Sequence, residues 1–165
     1  MKLNQELHRI FKEDFPDLLP NTIWKNDDGS YELFGKYRIV PARPGYQVFC
    51  SATDVGTFYS TQTALSWCIA DKYRSYNLAR ELLETDIKLY SLTNDINSRA
   101  ALGDRSNSPN LREIISTKLE SKTIQKKQLE NRLSKCVDWA KYIQQRGFEN
   151  ETARTGRNQP NKASR

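Results

Sequence analysis

The chain has 165 residues, enough for one domain, of which 37% are hydrophobic and 28% are charged. That balance is polar for a compact globule and typical of a protein with a long exposed helical arm. The formal net charge is +6, and residues 103–146 alone carry ten basic and five acidic side chains. Such an asymmetry indicates a polyanionic partner such as nucleic acid, or the solvated face of a helical arm.

The composition excludes several classes of protein. The three cysteines, Cys50, Cys68 and Cys136, are odd in number and form no CxxC pair, so neither a disulfide framework nor a zinc site is expected. No stretch approaches the roughly 18–20 apolar residues of a membrane span, and the N-terminus lacks the apolar segment of a signal peptide. These features predict a soluble intracellular protein, or a particle component made in a cytoplasm, that contacts no membrane.

Catalytic chemistry has few candidate residues. His8 is the only histidine, and histidine is the residue that most often serves as general base or metal ligand. The chain contains no glycine-rich phosphate loop and no nucleophile elbow. The clustered acids Glu81, Glu84 and Asp86 are typical of a solvated helix face. The sequence therefore predicts a non-enzyme without cofactor or metal.

Residues 1–60 predict a short helix followed by a small antiparallel sheet. Within residues 3–14, apolar side chains recur at helical spacing: Leu3, Leu7, Ile10 and Phe11. Residues 22–59 then read as short strands, with Gly35 interpreted as a bulge and 53–56 as a turn. A sheet of this size cannot bury enough surface alone, so a helix is expected across one face. Its aromatic residues are predicted to be core, with base stacking as the alternative: Trp24, Tyr31, Phe34, Tyr37, Tyr46 and Phe58.

From residue 61 onward, the sequence predicts two long helices joined by a polar loop at 103–108. Ser60 or Thr61 can cap the first helix, which is expected to cover the sheet and to run unbroken to about Leu102. The second helix begins at Ser108-Pro109 and is expected to end at Gly147, because a glycine commonly stops a helix. Both helices carry residues at seven-residue spacing, as in a coiled coil: Ile69, Tyr76, Leu83 and Tyr90, then Ile115, Lys122, Leu129, Cys136 and Ile143.

Each helix also has a second such row, one through Ala79 and Asp86 and the other through Lys126 and Leu133. Folding the rows of the two helices onto each other around Ser106 predicts an antiparallel hairpin in which Asp86 faces Lys126. A carboxylate opposite an ammonium group inside an apolar seam would fix the register of the two helices. The hairpin leaves a second apolar row that two helices cannot cover, so a third helix or a second copy of the chain is needed. We expect self-association through this row: Leu82, Leu89, Ile96, Ile114 and Ile124.

The alternative function is nucleic-acid binding by the second helix and the tail. Basic side chains there would neutralise phosphates and give salt-sensitive binding. The tail, 150–165, is polar and basic and is predicted to be disordered. The candidate residues are Lys118, Lys122, Lys127, Lys135, Arg154 and Arg157.

Three helical segments carry a resemblance to a known group of proteins. The segments 64–72, 133–142 and 145–152 resemble small proteins of T4-like marine phages, which infect cyanobacteria and related bacteria. The resemblance implies a viral context, with a location in the host cytoplasm or the virion, and it assigns no activity or functional residue. The implied partners are a second copy of the chain or another phage protein. A further alternative is an inhibitor or adaptor that binds a host protein through the exposed hairpin.

The sequence thus predicts an α+β protein with three parts. Residues 1–60 form the N-terminal helix and small sheet, 61–149 the long helical hairpin, and 150–165 the disordered basic tail. The expected function is that of a phage-encoded, non-enzymatic assembly or structural protein that self-associates through the hairpin. A nucleic-acid-binding accessory protein is the alternative.

Overall fold

The computed structural model describes Arg9, Glu13 and residues 23–163, with side chains from 26 to 147 in the continuous part. The predicted α+β class is confirmed, whereas most of the predicted N-terminal helix lies outside the described residues. Five strands come first: β1 (Ile23–Lys25), β2 (Tyr31–Leu33), β3 (Tyr37–Ala42), β4 (Gly45–Cys50) and β5 (Thr53–Phe58). Three helices follow: α1 (Thr61–Lys72), α2 (Tyr76–Arg105) and α3 (Pro109–Ala163).

The strands form an antiparallel meander in which each strand pairs with the next along the chain. Gly35 is not a bulge, because Phe34 and Gly35 both have positive φ and Lys36 N–H donates to the Leu33 carbonyl at 3.2 Å. Residues 34–36 form the hairpin turn between β2 and β3, since Leu33 pairs with Tyr37 across it. The turn predicted at 53–56 is also wrong, since those residues belong to β5 and the irregularity in pairing lies opposite Val48.

Helix α1 covers one face of the sheet, as predicted. Ser60 is its N-cap, with its hydroxyl oxygen accepting from Thr63 N–H at 3.5 Å. Its apolar residues Ala64, Leu65, Cys68 and Ile69 are fully buried. The Trp67 ring meets the Tyr37 ring edge-to-face at 6.0 Å. Alternation along the strands supplies the other half of this core: Tyr31, Leu33, Tyr37, Ile39, Tyr46, Val48 and Phe58.

The first long helix is broken in the structure, where an unbroken helix to Leu102 was predicted. Helix α1 ends at Lys72, Arg74 takes a φ of +62°, and Ser75 N–H donates to the Ala70 carbonyl at 2.8 Å. The predicted row through Ile69 and Tyr76 is therefore wrong: Ile69 is buried, whereas Tyr76, beyond the break, is 58% exposed. Because the chain turns here, α1 packs on both α2 and α3.

Helix α3 continues through Ala163, so the predicted helix end at Gly147 is wrong, and the helix extends into the segment 150–165 that was expected to be disordered. Gly147 lies inside the helix, and a Cβ atom there would come within 2.2 Å of Cε1 of Tyr73. The glycine thus makes room for an aromatic ring from the turn between α1 and α2. The side chains beyond 147 lie outside the described part of the chain.

The helical hairpin of α2 and α3 is confirmed, but its register differs from the predicted one. Asp86 accepts from Tyr59 N–H at 2.8 Å, and Lys126 lies 3.9 Å from Glu130 on its own helix. The predicted Asp86–Lys126 pair is therefore wrong. A buried carboxylate can be satisfied by a backbone N–H group instead of an ammonium group, and ion pairs across the hairpin form elsewhere, at half-exposed positions: Lys122–Asp95 at 2.5 Å and Arg132–Glu81 at 2.6 Å.

Candidate functional site

The apolar row predicted to mediate self-association is largely internal. Leu82 is fully buried, Leu89 packs against the core, and Ile96 is half-buried. Helix α1 supplies the third helix that the pattern required, because it folds back onto the hairpin. The prediction that the hairpin leaves Leu82 uncovered is therefore wrong, whereas self-association itself stays a prediction. Within this row only Ile114 and Ile124 are exposed, at 54% and 61%.

The basic residues predicted to bind nucleic acid do not share one face of α3. Lys118 and Lys127 are nine residues apart, which places them on opposite sides of a helix. Lys122 lies at the seam, where it pairs with Asp95. Arg154 and Arg157 lie on α3, and their side chains are outside the described part of the chain. Of these basic residues, Lys135 lies on the same side of α3 as the exposed aromatic residues Trp139 and Tyr142.

One exposed surface of α3 combines aromatic and basic side chains. Lys135, Trp139, Tyr142 and Arg146 follow each other at spacings of four, three and four residues, so they align along one side of the helix. We call these four residues the outer stripe. Trp139 is 54% exposed and Tyr142 47%, although aromatic side chains of this size are usually largely buried. This exposure marks the outer stripe as a candidate binding surface.

The two rings of the outer stripe are ordered with respect to each other. The Trp139 and Tyr142 rings stack at 5.3 Å between centroids, with 27° between their planes. Arg146 donates from Nη1 to the Tyr142 hydroxyl at 2.8 Å, and its guanidinium carbon lies 6.0 Å from the ring centroid. Such contacts hold the arginine beside the ring, where its charge stays available to an anionic partner.

The outer stripe is exposed because the opposite side of α3 packs against α1 and α2. The buried residues of this part of the helix repeat at helical spacing toward α1 and α2: Leu133, Cys136, Val137, Ala140 and Gln144. The periodicity that buries these residues necessarily points the outer stripe away from the rest of the fold.

The charge around the outer stripe is mainly positive. Within the described residues, the ammonium group of Lys135 has no hydrogen-bond or ion-pair partner. Arg146 hydrogen-bonds to Tyr142, and the acid among residues 135–146 is the exposed Asp138. Unpaired cations next to exposed rings are the combination that proteins use to bind the backbone and bases of nucleic acids.

Sequence reasoning identified Lys135 but missed Trp139, Tyr142 and Arg146. A signal was present, because Trp139 and Tyr142 fall outside the rows through Cys136, Ala140 and Ile143. An aromatic residue off the apolar rows of an amphipathic helix is expected to be exposed.

A partly buried polar cluster links the sheet to α1. The Tyr37 hydroxyl donates to Asp71 Oδ2 at 2.5 Å, Lys36 lies 3.7 Å from the same oxygen, and Cys50 Sγ lies 4.0 Å from it. Burial, and then the hydrogen bond to Asp71, raises the pKa of Tyr37 well above its ordinary value. A phenol that keeps its proton is a stable hydrogen-bond donor, so this cluster ties β3 to α1.

Asp86 anchors α2 against the end of the sheet. It is buried and accepts from the backbone of Tyr59, whose ring also stacks on Tyr90 of α2 at 3.7 Å. Desolvation raises the pKa of Asp86, and the hydrogen bond from Tyr59 partly opposes the shift.

We expect Asp86→Asn to reduce the pH dependence of stability. A raised pKa means that the folded state binds the proton more tightly than the unfolded state, so wild-type stability rises as pH falls from 7 toward the ordinary aspartate value of about 3.9. The asparagine keeps a carbonyl oxygen for Tyr59 N–H and does not titrate. Urea unfolding at several pH values should show the wild type gaining stability relative to the variant as pH falls. A constant difference would contradict this assignment.

The described residues contain no disulfide, no metal-binding cluster and no helix suited to crossing a membrane. Cys50, Cys68 and Cys136 are free thiols, and no group of three His, Cys, Asp or Glu side chains in the described chain is arranged to hold a metal ion. Of the helices described, none combines the length and the apolar character needed to cross a membrane. Comparison with protein-family models, with curated proteins and with solved structures finds no match to this chain.

Proposed function

We propose that this protein is a non-enzymatic nucleic-acid-binding accessory protein that binds through the outer stripe of α3. The observation that carries the proposal is the exposed Trp139–Tyr142 stack with a cation at each end. Exposed apolar aromatic surface is a recurrent feature of binding sites. The cations Lys135 and Arg146 select for a partner with negative charge.

The charge distribution supports a polyanionic partner over an acidic protein patch. Arg146 lies eleven positions after Lys135, which corresponds to about 16 Å along a helix axis. An anion bound along this length meets Asp138 as the single acid of the surface. A partner with evenly repeated charges, such as a phosphate backbone, can contact both cations at once.

Binding to labelled oligonucleotides, measured by fluorescence anisotropy at increasing salt, tests the proposal. We expect affinity to fall steeply with salt, because phosphate contacts release counterions. Lys135→Gln with Arg146→Gln should reduce the slope of log K against log salt by about 2, since each lost phosphate contact lowers it by about 1.

Lys88→Gln with Lys118→Gln is the matched control. It removes the same charge from exposed positions outside the outer stripe, so the salt slope should stay close to that of the wild type. Absence of binding to any nucleic acid at low salt would overturn the proposed function, and equal losses in the two double variants would remove the outer stripe from it.

Self-association is the second candidate function, now supported by residues near the hairpin loop. Leu102, Leu111 and Ile114 are large apolar side chains that are exposed close to the junction of α2 and α3. Exposed apolar clusters commonly mark contacts with a partner, as expected of a phage assembly component. Light scattering at high protein concentration should then report more than one copy, and Leu111→Ser with Ile114→Ser should restore the monomer. A strict monomer for the wild type would remove this candidate.

A further inference from the structure

We infer that the nucleic acid bound by the outer stripe is single-stranded, with unpaired bases stacked on Trp139 and Tyr142 and phosphates on Lys135 and Arg146. The inference rests on the proposed function and names its ligand class. It depends on which surfaces of a nucleic acid are available to flat aromatic side chains.

The rings offer a stacking surface and little capacity for hydrogen bonding. The tyrosine hydroxyl already accepts from Arg146, and the indole has a single N–H donor. Base edges in a duplex groove are recognised by hydrogen-bonding side chains such as arginine, asparagine and glutamine. Base faces are recognised by aromatic rings, and these faces are accessible only where bases are unpaired.

The arrangement of charge also favours one strand. Lys135 and Arg146 lie at the two ends of the outer stripe, with the rings between them, so a backbone that follows the helix can contact both cations while its bases reach the rings. The bases of a duplex are paired and stacked within it, so a duplex that contacts the two cations leaves the rings without a base face.

The inference predicts selectivity that depends on the rings. The probes are a fluorescent oligothymidine of about 16 nucleotides, which matches the upper site size of single-strand-binding modules, and a duplex of the same length. Trp139→Ala should weaken single-strand binding about 5- to 150-fold, corresponding to about 1–3 kcal/mol for one stacked base. Duplex binding through phosphates alone should be unchanged by the same substitution.

Conservative variants distinguish stacking from general disruption. Trp139→Phe keeps an aromatic face and should retain most of the single-strand affinity, whereas Tyr142→Ala should resemble Trp139→Ala. Both side chains are largely exposed, so circular dichroism should show unchanged helix content in all three variants.

The outcomes separate the inference from the function on which it rests. Selective loss of single-strand binding in the alanine variants, with retention in the phenylalanine variant, would support both. Equal or tighter duplex binding, with no effect of the rings, would overturn the single-strand inference and leave the proposed function standing. Absence of binding to both probes at low salt would overturn the proposed function itself.

Discussion

Leu82→Ala is expected to lower the free energy of unfolding by about 2–5 kcal/mol, the range for removing a fully buried leucine side chain from a core. Leu82 has no accessible surface and belongs to the main cluster of buried residues. The helices around it can collapse only partly into the space left behind, so the loss combines transfer and cavity terms. Urea unfolding monitored by circular dichroism measures the change.

Leu82→Ala also tests whether the apolar row that contains Leu82 and Leu89 holds copies of the chain together. The mass of folded Leu82→Ala in solution should equal that of the wild type, because the side chain makes its contacts within one chain. Ile124→Ala is the control, since Ile124 is predominantly exposed and its loss should change stability by no more than about 0.5 kcal/mol. A Leu82 variant with wild-type stability and altered mass would show that the buried assignment is wrong.

Gly147→Ala is expected to destabilise the protein by about 1–3 kcal/mol, the usual effect of adding atoms to a packed position. Helix propensity alone favours alanine over glycine by about 1 kcal/mol. The variant is therefore expected to lose stability where helix propensity alone would make it more stable. The cause is Tyr73, whose ring carbons lie 2.2–2.7 Å from where the new Cβ atom would be. In a Tyr73→Ala background the substitution should therefore become stabilising.

Gly103→Ala provides the matched control, because Gly103 also lies inside a helix. Its Cβ atom would lie 3.3 Å from Cγ2 of Ile115, a contact that a small shift relieves. We expect this variant to be neutral or slightly more stable than the wild type. If Gly147→Ala were stabilising in the wild-type background, Tyr73 would not be held against α3 as the structure shows.

The sheet and its covering helix follow from local sequence patterns. Alternation along Tyr46 and Val48 specifies one buried face, and Ser60 supplies the hydroxyl that starts α1. These features depend on residues within a few positions of each other, so they can be predicted before the path of the chain is known. The error at Gly35 arose because positive φ suits a bulge and a hairpin turn equally well.

The candidate site was predictable only in part. The positive charge of the second helix was evident, and Lys135 was identified with it. The grouping with Trp139 and Tyr142 required knowledge of which side of α3 is buried, and that side is set by α1 and α2. Lys122 was predicted to bind phosphate, but it pairs with Asp95 across the hairpin. That pairing, too, depends on how α2 packs against α3 and is not evident from the sequence.

The sequence by itself determined the α+β class, the antiparallel sheet, the α1 cap and the hairpin of two long helices. The tertiary structure decided where the first long helix breaks, how the hairpin is registered and which apolar row is covered. Seven-residue spacing continues across residues 73–75, so the periodicity cannot show that the chain turns at Arg74. Once it turns, α1 lies against the hairpin, Leu82 becomes core, and the exposed aromatic surface left on α3 is the outer stripe.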